Sequence, residues 1–316
     1  MIKVCKLRNL FLFQARCLEI PSLAGRERLS GFSTADACLS YLSAYRWKDG
    51  FECPHCKGKE ESNCNIVHHK RCKKCNYIIS PTAHTLFHKV KFGLEKAFLI
   101  IFKMSATTKS ISAEQLAKNV GINRKTALLF QQKVRVAMKS SEKYPLEGSV
   151  EVDEAFIGEQ ETGVMGRGAV KKSQIVVAIE RNGGKGIKRM YVKKIENASS
   201  AELKPFFEKH ISVKANVLTD KWSGYFPLKK EFQIEQQKSK PKENFKVMHR
   251  GIQQLKSWIR GIHHSVNANY LQGYLNEFCY RINRSIFKES IFDNLLNRMM
   301  VAEPCAKNQI KFVYCS

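Results

Sequence analysis

The stretch Val150–Ile157 reads VEVDEAFI, and its alternating apolar residues predict a β-strand. Asp153 stands inside this strand, where an apolar pattern would otherwise exclude a charge. Two further β-rich runs follow at Gln174–Ile179 and Arg189–Ile195, and both are typical of strands. The chain then continues with a predicted helix and a predicted fourth strand, at Ser200–His210 and Ala215–Thr219.

This β-β-β-α-β order is the opening of a ribonuclease-H-like fold, an α/β architecture with a mixed sheet and flanking helices. In that fold the first and fourth strands are parallel neighbours. Asp220 directly follows the fourth strand, so its carboxylate is expected to meet that of Asp153. Carboxylate oxygens suit Mg²⁺ or Mn²⁺, and the pair therefore predicts a catalytic metal site. Glu151 and Glu154 flank Asp153 and are interpreted as solvated charges.

Two Cys-x-x-Cys pairs, CPHC and CKKC, precede this region and are separated by fifteen residues. Two such pairs can surround one metal with four thiolates, which is the closed coordination of a structural zinc. The predicted Zn²⁺ ligands are Cys53, Cys56, Cys72 and Cys75. His68 and His69 lie between the pairs and are interpreted as solvated. Residues 47–82 are therefore predicted to fold as a zinc ribbon.

The chain between the ribbon and the first strand is predicted to be helical. Leu94–Met104 is strongly apolar, Ser112 is placed to cap a second helix, and Gly121 marks a turn before a third. This pattern is typical of a helix-turn-helix, with a plain helical hairpin as the alternative. The third helix would present three basic side chains to DNA, namely Arg124, Lys125 and Lys133. Its apolar side chains would pack inward, and these are Ala127, Leu128 and Val134.

Composition indicates what the protein binds. The chain has 54 lysines and arginines against 28 acids, a formal net charge of +26, which favours polyanions such as double-stranded DNA. The seven cysteines outside the two Cys-x-x-Cys pairs show no pairing pattern, and the total of eleven is odd, which favours a reducing cytoplasm. The apolar run Leu10–Phe13 is too short for a signal peptide or membrane span. We therefore expect a cytoplasmic, nucleoid-associated protein that has no membrane partner.

The motifs stand in a characteristic order along residues 33–290. They are CPHC with CKKC, YIISPTAHTLFH, ISAEQLAKNVGINRKTA, VEVDEAFIG, GRG at 166–168, TDKWSGY, HRGIQQLKSWIRGIHHSV and YLNEFCYRINR. Together they resemble the bacterial insertion-sequence transposases of the ISXO-like group. The resemblance implies a DDE-type enzyme with a two-metal-ion mechanism, in which Asp153 and Asp220 are the first two metal-binding acids. It also implies terminal inverted repeats and target DNA as substrates, and a homo-oligomer on DNA.

The third metal-binding position has three candidates. Gln254 lies five residues after His249, where the resemblance implies a glutamate or an asparagine, and its neutral amide oxygen would bind Mg²⁺ weakly. Glu277 is chemically better suited, although Arg281 follows it at the spacing of an ordinary surface pair. His249 itself is the third candidate, as a ligand or as a donor to phosphate.

Other side chains are expected to contact DNA outside the helix-turn-helix. The basic ones are Arg167, Lys171 and Lys172 after the first strand, and Arg260 on a later helix. Lys229–Lys246 is interpreted either as a solvated loop or as a strap that binds the DNA backbone. Trp222 and Tyr225 are candidates for stacking on an unpaired base.

These features divide the chain into five regions. They are an N-terminal segment with a short helix (1–46), the zinc ribbon (47–82), a helix-turn-helix-like region (90–145), a ribonuclease-H-like catalytic domain (148–290) and a C-terminal tail (291–316). The expected function is a DNA transposase that cleaves and transfers strands at the ends of its own insertion sequence. The alternative is a DNA-binding descendant in which Gln254 has removed catalysis.

Overall fold

The computed structural model describes residues 29–310 except 63, 107–108, 159–171, 184–185, 241–242, 265, 288–289 and 307. The chain forms two compact units. Of the described residues, the first unit contains 29–137 together with Phe287–Ile310, and the second contains Met138–Ile286. Over this part of the chain, the polypeptide passes between the units after residue 137 and after residue 286.

The first unit opens with a capped helix and a small sheet. Helix α1 spans Ala35–Arg46, and Thr34 Oγ1 accepts a hydrogen bond from the Ala37 N–H at 3.2 Å. Strands β1, β2 and β3 form an antiparallel sheet in that order. They span Glu61–Ser62, Lys70–Cys72 and Ile78–Ile79, which lies within the region predicted as a zinc ribbon.

Three helices follow, and a tight turn joins the last two. They are α2 (Leu94–Ala106), α3 (Ala113–Val120) and α4 (Arg124–Ala137). Ser112 Oγ accepts the Gln115 N–H at 3.2 Å, and α3 ends at Gly121, whose φ of +67° favours glycine. The two-helix arrangement is present, and its use in DNA binding stays a prediction. Within the described ranges, no helix is long and apolar enough to cross a membrane.

Helix α8 of the first unit spans Ile291–Val301, where the sequence suggested only a C-terminal tail. Its apolar residues recur at helical spacing, so one face can be buried. The buried side chains are Ile291, Phe292, Leu295, Leu296, Met299 and Met300. The Phe292 ring centroid lies 5.6 Å from that of Phe102 and 6.4 Å from that of Phe98, both on α2. Helix α8 thus completes the core of the helical unit.

The second unit contains a five-stranded mixed sheet, in the order β6-β5-β4-β7-β8. Its first four strands and the helix α5 match the predicted order, with β4 and β7 parallel neighbours. They span Ser149–Gly158 (β4), Lys172–Asn182 (β5), Gly186–Ile195 (β6), Ser200–His210 (α5) and Asn216–Thr219 (β7). Strand β8 spans Gln233–Gln236 and pairs with β7. The prediction that Lys229–Lys246 is a loop or strap over its whole length is therefore wrong. Only Ile234 is apolar in β8, so the alternation there is too weak to predict a strand.

Helices cover both faces of this sheet. Alternation along β4 sends Val150 and Val152 towards α5, into a core with Phe206 and Phe207. The opposite face of the sheet packs against α6 and α7, which span Lys246–His263 and Leu271–Asn283. Burial of a large apolar side chain such as Phe206 stabilises the fold by about 1.5–3 kcal/mol. Asp153 belongs to the α6 face and Glu154 to the α5 face.

Side-chain amides on α7 occupy the outer edge of β6. Gln272 Nε2 donates to Val192 O at 3.0 Å, and Gln272 Oε1 accepts the Lys194 N–H at 2.8 Å. Asn283 bonds both backbone groups of Met190, at 2.8 and 2.9 Å. These hydrogen bonds satisfy backbone N–H and C=O groups at the outer edge of β6, which could otherwise pair with another strand.

Candidate active site and zinc centre

The four cysteines of the ribbon converge on one point. Their Sγ atoms all lie within 4.8 Å of one another. The Cys53 and Cys75 sulfurs are 3.6 Å apart, and those of Cys56 and Cys72 are 3.5 Å apart. Tetrahedral zinc with bonds of about 2.3 Å requires sulfur separations of about 3.8 Å, so the cluster fits Zn²⁺.

The two histidines between the cysteine pairs have other partners. His68 Nε2 lies 2.9 Å from Asp36 Oδ1, and His69 Nδ1 lies 3.0 Å from Val67 O. Within the described residues, the four cysteines are therefore the group that fits a structural zinc, and both histidines lie outside that group.

Asp153 and Asp220 lie at adjoining positions of the parallel pair β4 and β7. Val152 pairs with Thr219, so the next residue on each strand is an aspartate. One carboxylate oxygen of each is held locally: Asp153 Oδ1 accepts the Glu154 N–H at 2.8 Å, and Asp220 Oδ1 accepts the Trp222 N–H at 3.0 Å. The register thus brings two oriented carboxylates together on the α6 face of the sheet.

The electrostatics of Asp153 reflect this crowding. Burial, together with the negative charge of Asp220, raises the pKa of the Asp153 carboxyl to about 6. The backbone N–H of Glu154 and the ammonium of Lys256 act in the opposite direction. A divalent cation would neutralise the charge of two close carboxylates in a partly desolvated site. These residues therefore fit Mg²⁺ or Mn²⁺.

Helix α6 brings two further groups to Asp153. His249, in its first turns, has Nε2 3.9 Å from Asp153 Oδ2. Lys256 follows seven residues later, which is two helical turns and therefore the same face. Burial lowers the pKa of the Lys256 ammonium, while Asp153 raises it. Of the three candidates for the third position, His249 is the one that the structure brings to Asp153.

Gln254 and Glu277 have different surroundings. Gln254 is exposed on α6, and an offset of five residues turns it about 140° around the helix from His249. Glu277 is fully buried on α7, where its Oε1 accepts from Arg281 Nε at 3.1 Å and Nη2 at 2.9 Å. The ion pair expected at the surface is thus an internal one.

The glutamates beside Asp153 are not the solvated charges that the sequence suggested. Glu151 is only 2% exposed and contacts Arg181 and the backbone of Met248. Glu154 Oε1 accepts a short hydrogen bond from the hydroxyl of Tyr225. Both carboxylates find partners on elements distant in sequence, which is why strand alternation alone misjudged them.

The aromatic residues proposed for base stacking are held in the protein. Tyr225 is fully buried, and burial raises the pKa of its hydroxyl well above the usual value. Trp222 is partly buried, and its Nε1 donates to Ala198 O at 2.7 Å. Phe226, the next aromatic residue, is 70% exposed and has Lys229 Nζ 5.8 Å from its ring centroid.

Two of the predicted DNA contacts lie near Lys256. Lys172, the first residue of β5, and the exposed Arg260 on α6 both lie close enough to Lys256 to lower the pKa of its ammonium by repulsion. A cationic group therefore borders the acidic pair. Arg167 and Lys171, together with the GRG motif, lie outside the described residues.

The helix-turn-helix region offers two of its three predicted cations. Arg124 and Lys125 are exposed at the start of α4, and Arg124 Nε lies 3.5 Å from Glu114 Oε2. Lys133 is half-buried, and burial lowers the pKa of its ammonium. Ala127 and Val134 are buried as expected, whereas Leu128 is 36% exposed because it lies about 100° around the helix from Ala127.

Comparison with known families agrees with this arrangement. Residues 145–283 match the model of the ISXO2-like transposase domain, and residues 33–78 match that of the transposase zinc-ribbon domain. The chain is also similar to an uncharacterized protein in transposable element ISH50 of Halobacterium salinarum. The two are 25% identical over 139 residues, or 43% of this chain and 45% of that protein. The match thus spans less than half of its relative's length.

The second unit is therefore a transposase domain of the DDE type, which has a ribonuclease-H-like fold. Together with the match to the transposase zinc-ribbon domain, this gives the chain two segments that resemble those of the ISXO-like insertion-sequence transposases.

Proposed function

We propose that this protein cleaves and transfers DNA strands at the ends of its own insertion sequence, in a reaction that requires divalent metal ions. The observation that carries the proposal is the convergence of Asp153, Asp220 and His249 at the junction of β4, β7 and α6. The neighbouring cations Lys172, Lys256 and Arg260 favour a phosphate backbone beside these acids.

In the proposed reaction, water attacks a phosphodiester at the element end and releases a 3′-hydroxyl, which then attacks a phosphodiester of the target. Asp153 and Asp220 would hold Mg²⁺ or Mn²⁺, with His249 as the third group. Bound divalent ions would lower the pKa of the attacking hydroxyl and stabilise the leaving oxygen. Lys256, Lys172 and Arg260 would bind and orient the phosphates, whose negative charge the two aspartates alone would repel.

The first unit would supply recognition of the terminal inverted repeats. Its zinc ribbon carries basic side chains beside the cysteines, and α4 presents Arg124 and Lys125 at its first turn, where a recognition helix contacts DNA. A homo-oligomer on DNA would allow both ends of the element to be processed together.

The alternative, a DNA-binding protein without catalysis, was based on the amide at position 254. The exposed position of Gln254, away from His249 on the helix, weakens that reason. The proximity of His249 to Asp153 supports the enzyme.

Incubation of the full chain with DNA carrying the element ends tests the proposal. We expect cleavage with Mg²⁺ or Mn²⁺, and its loss in Asp153→Asn and Asp220→Asn while DNA binding persists. Glu243→Gln, which changes an exposed acid of the same unit, is the matched control. A wild-type protein that binds the ends without cutting would favour the alternative, and cleavage by both aspartate variants would overturn the metal-dependent mechanism.

A further inference from the structure

A buried carboxylate outside the proposed metal site has an unusual pair of partners. Glu151 lies two residues before Asp153 on β4, so both side chains extend towards the α6 face. The Glu151 side chain is 3% exposed, whereas that of Asp153 is 24% exposed. A carboxylate is rarely buried to this extent without partners that compensate for its lost hydration.

The first partner is the N-terminus of α6. Phe245, at the N-cap position, has a left-handed φ of 52° and makes no side-chain cap. Glu151 Oε2 instead accepts the Met248 N–H at 3.1 Å, from a strand that is 97 residues away in sequence. A negative charge at a helix N-terminus is also favoured by the helix dipole. The cap of α6 is therefore provided by β4.

The second partner is a cation on the neighbouring strand. Arg181 Nη1, near the end of β5, lies 3.3 Å from Glu151 Oε1. Each oxygen of Glu151 thus contacts a different element, and the side chain joins β4, β5 and the first turn of α6. Because His249 directly follows Met248, fixing the Met248 N–H also fixes the backbone that carries the His249 imidazole.

We infer that Glu151 is a positioning residue, which holds the first turn of α6 so that His249 lies beside Asp153. The inference rests on the proposed function for its use of His249 at the metal site. Glu151 itself contacts neither DNA nor metal in this role. Its effect on metal binding should therefore pass through His249.

A double-mutant cycle on Mn²⁺ affinity tests this coupling, with Glu151→Ala, His249→Ala and the double variant measured in the full chain. Groups that orient metal ligands typically change metal affinity by about 10–100-fold, so we expect at least a tenfold loss in Glu151→Ala. In the His249→Ala background, the same change should have less than about a threefold effect. Glu151→Gln, which keeps an acceptor for the Met248 N–H, should recover part of the affinity.

Glu180→Gln is the matched control, because Glu180 is an equally buried acid, on β5, and pairs with Lys188 rather than with α6. It should leave Mn²⁺ affinity unchanged. Unchanged affinity in Glu151→Ala, or a full effect in the His249→Ala background, would overturn the inference while leaving the proposed function intact.

Hydrogen exchange of residues 246–250 in the metal-free protein provides a second measurement that does not depend on metal binding. We expect at least a tenfold faster exchange in Glu151→Ala than in wild type, and no change in Glu180→Gln. Equal exchange in all three proteins would overturn the role of Glu151 at the helix. Faster exchange in a protein that binds no Mn²⁺ would instead count against the proposed function alone.

Discussion

Val152 pairs with Thr219 across the parallel ladder of β4 and β7, and an aspartate follows each of them. The two carboxylates therefore meet because of strand register and not because of a long loop. A shift of one residue in either strand would turn one aspartate to the opposite face of the sheet. The relative placement of Asp153 and Asp220 is thus as well defined as the register of the central sheet.

Loss of zinc should unfold the ribbon. Cys72→Ser combined with Cys75→Ser removes half of the thiolates, and zinc contributes about 10–16 kcal/mol to the folding of such modules. We expect purified wild type to contain one zinc per chain and the double variant to contain essentially none, by elemental analysis. Cys64→Ser is the control, because Cys64 lies in the same region outside the four-sulfur cluster. Retention of zinc in the double variant would refute the four-cysteine centre.

The third position of the metal site can be decided by three variants. His249→Ala should weaken Mn²⁺ binding and DNA cleavage by about tenfold or more, because a group next to Asp153 is lost. Gln254→Ala should change both by less than about twofold. Calorimetric titration and a cleavage assay measure these effects. A loss of Mn²⁺ binding and DNA cleavage in the Gln254 variant alone would instead assign the Gln254 amide to the third position.

Glu277→Gln should lower the stability of the fold and leave metal affinity unchanged. Removal of one charge leaves the largely buried Arg281 guanidinium without its ion-pair partner, which we expect to cost about 3 kcal/mol. Thermal unfolding should show a lower Tm, while the Mn²⁺ affinity of the folded variant stays unchanged. A selective loss of metal binding would instead assign Glu277 to the site.

DNA binding by the helix-turn-helix region should depend on its first turn. Arg124→Gln combined with Lys125→Gln should weaken binding to the element ends and reduce the slope of log K against log salt by about 2. Lys133→Gln should have a smaller effect, because its ammonium is half-buried. Fluorescence anisotropy at several salt concentrations distinguishes the variants. Equal effects from all three positions would contradict the proposed orientation of α4.

His210 should make the second unit sensitive to acid. Burial lowers the pKa of its imidazole from 6.5 to about 4, so the unfolded chain takes up a proton in this range before the folded one does. Stability should therefore fall by up to about 3 kcal/mol as pH decreases from 6.5 to 4. His210→Gln should flatten this dependence. In a Trp47→Phe background, the remaining Trp222 and Trp258 report unfolding of this unit by fluorescence.

Patterns within short stretches of sequence predicted the elements that form from residues close together in the chain. The alternation around Asp153, the cysteine spacing and the helical signal at Ser200–His210 all correspond to elements of the structure. The recurring apolar residues of α8 also indicate a helix. Strand β8 is short and polar, so its pairing with β7 comes from tertiary context.

The third group of the site required information that a single sequence does not contain. His249 reaches Asp153 only because α6 packs across the sheet, and the contact between Glu151 and the Met248 N–H joins residues 97 positions apart. Periodicity could have placed His249 and Lys256 on one helix face. Periodicity could not have shown which face of α6 turns towards Asp153 and Asp220.

Helix α8 follows the second unit in the sequence, and this determines the order in which the two units can be completed during synthesis. Residues 138–286 are contiguous, so the second unit can fold as soon as they have left the ribosome. The helical unit is made first but must wait for Ile291–Val301. Until then the aromatic side chains of α2 that receive Phe292 stay uncovered, and the nascent front end is a candidate for chaperone binding.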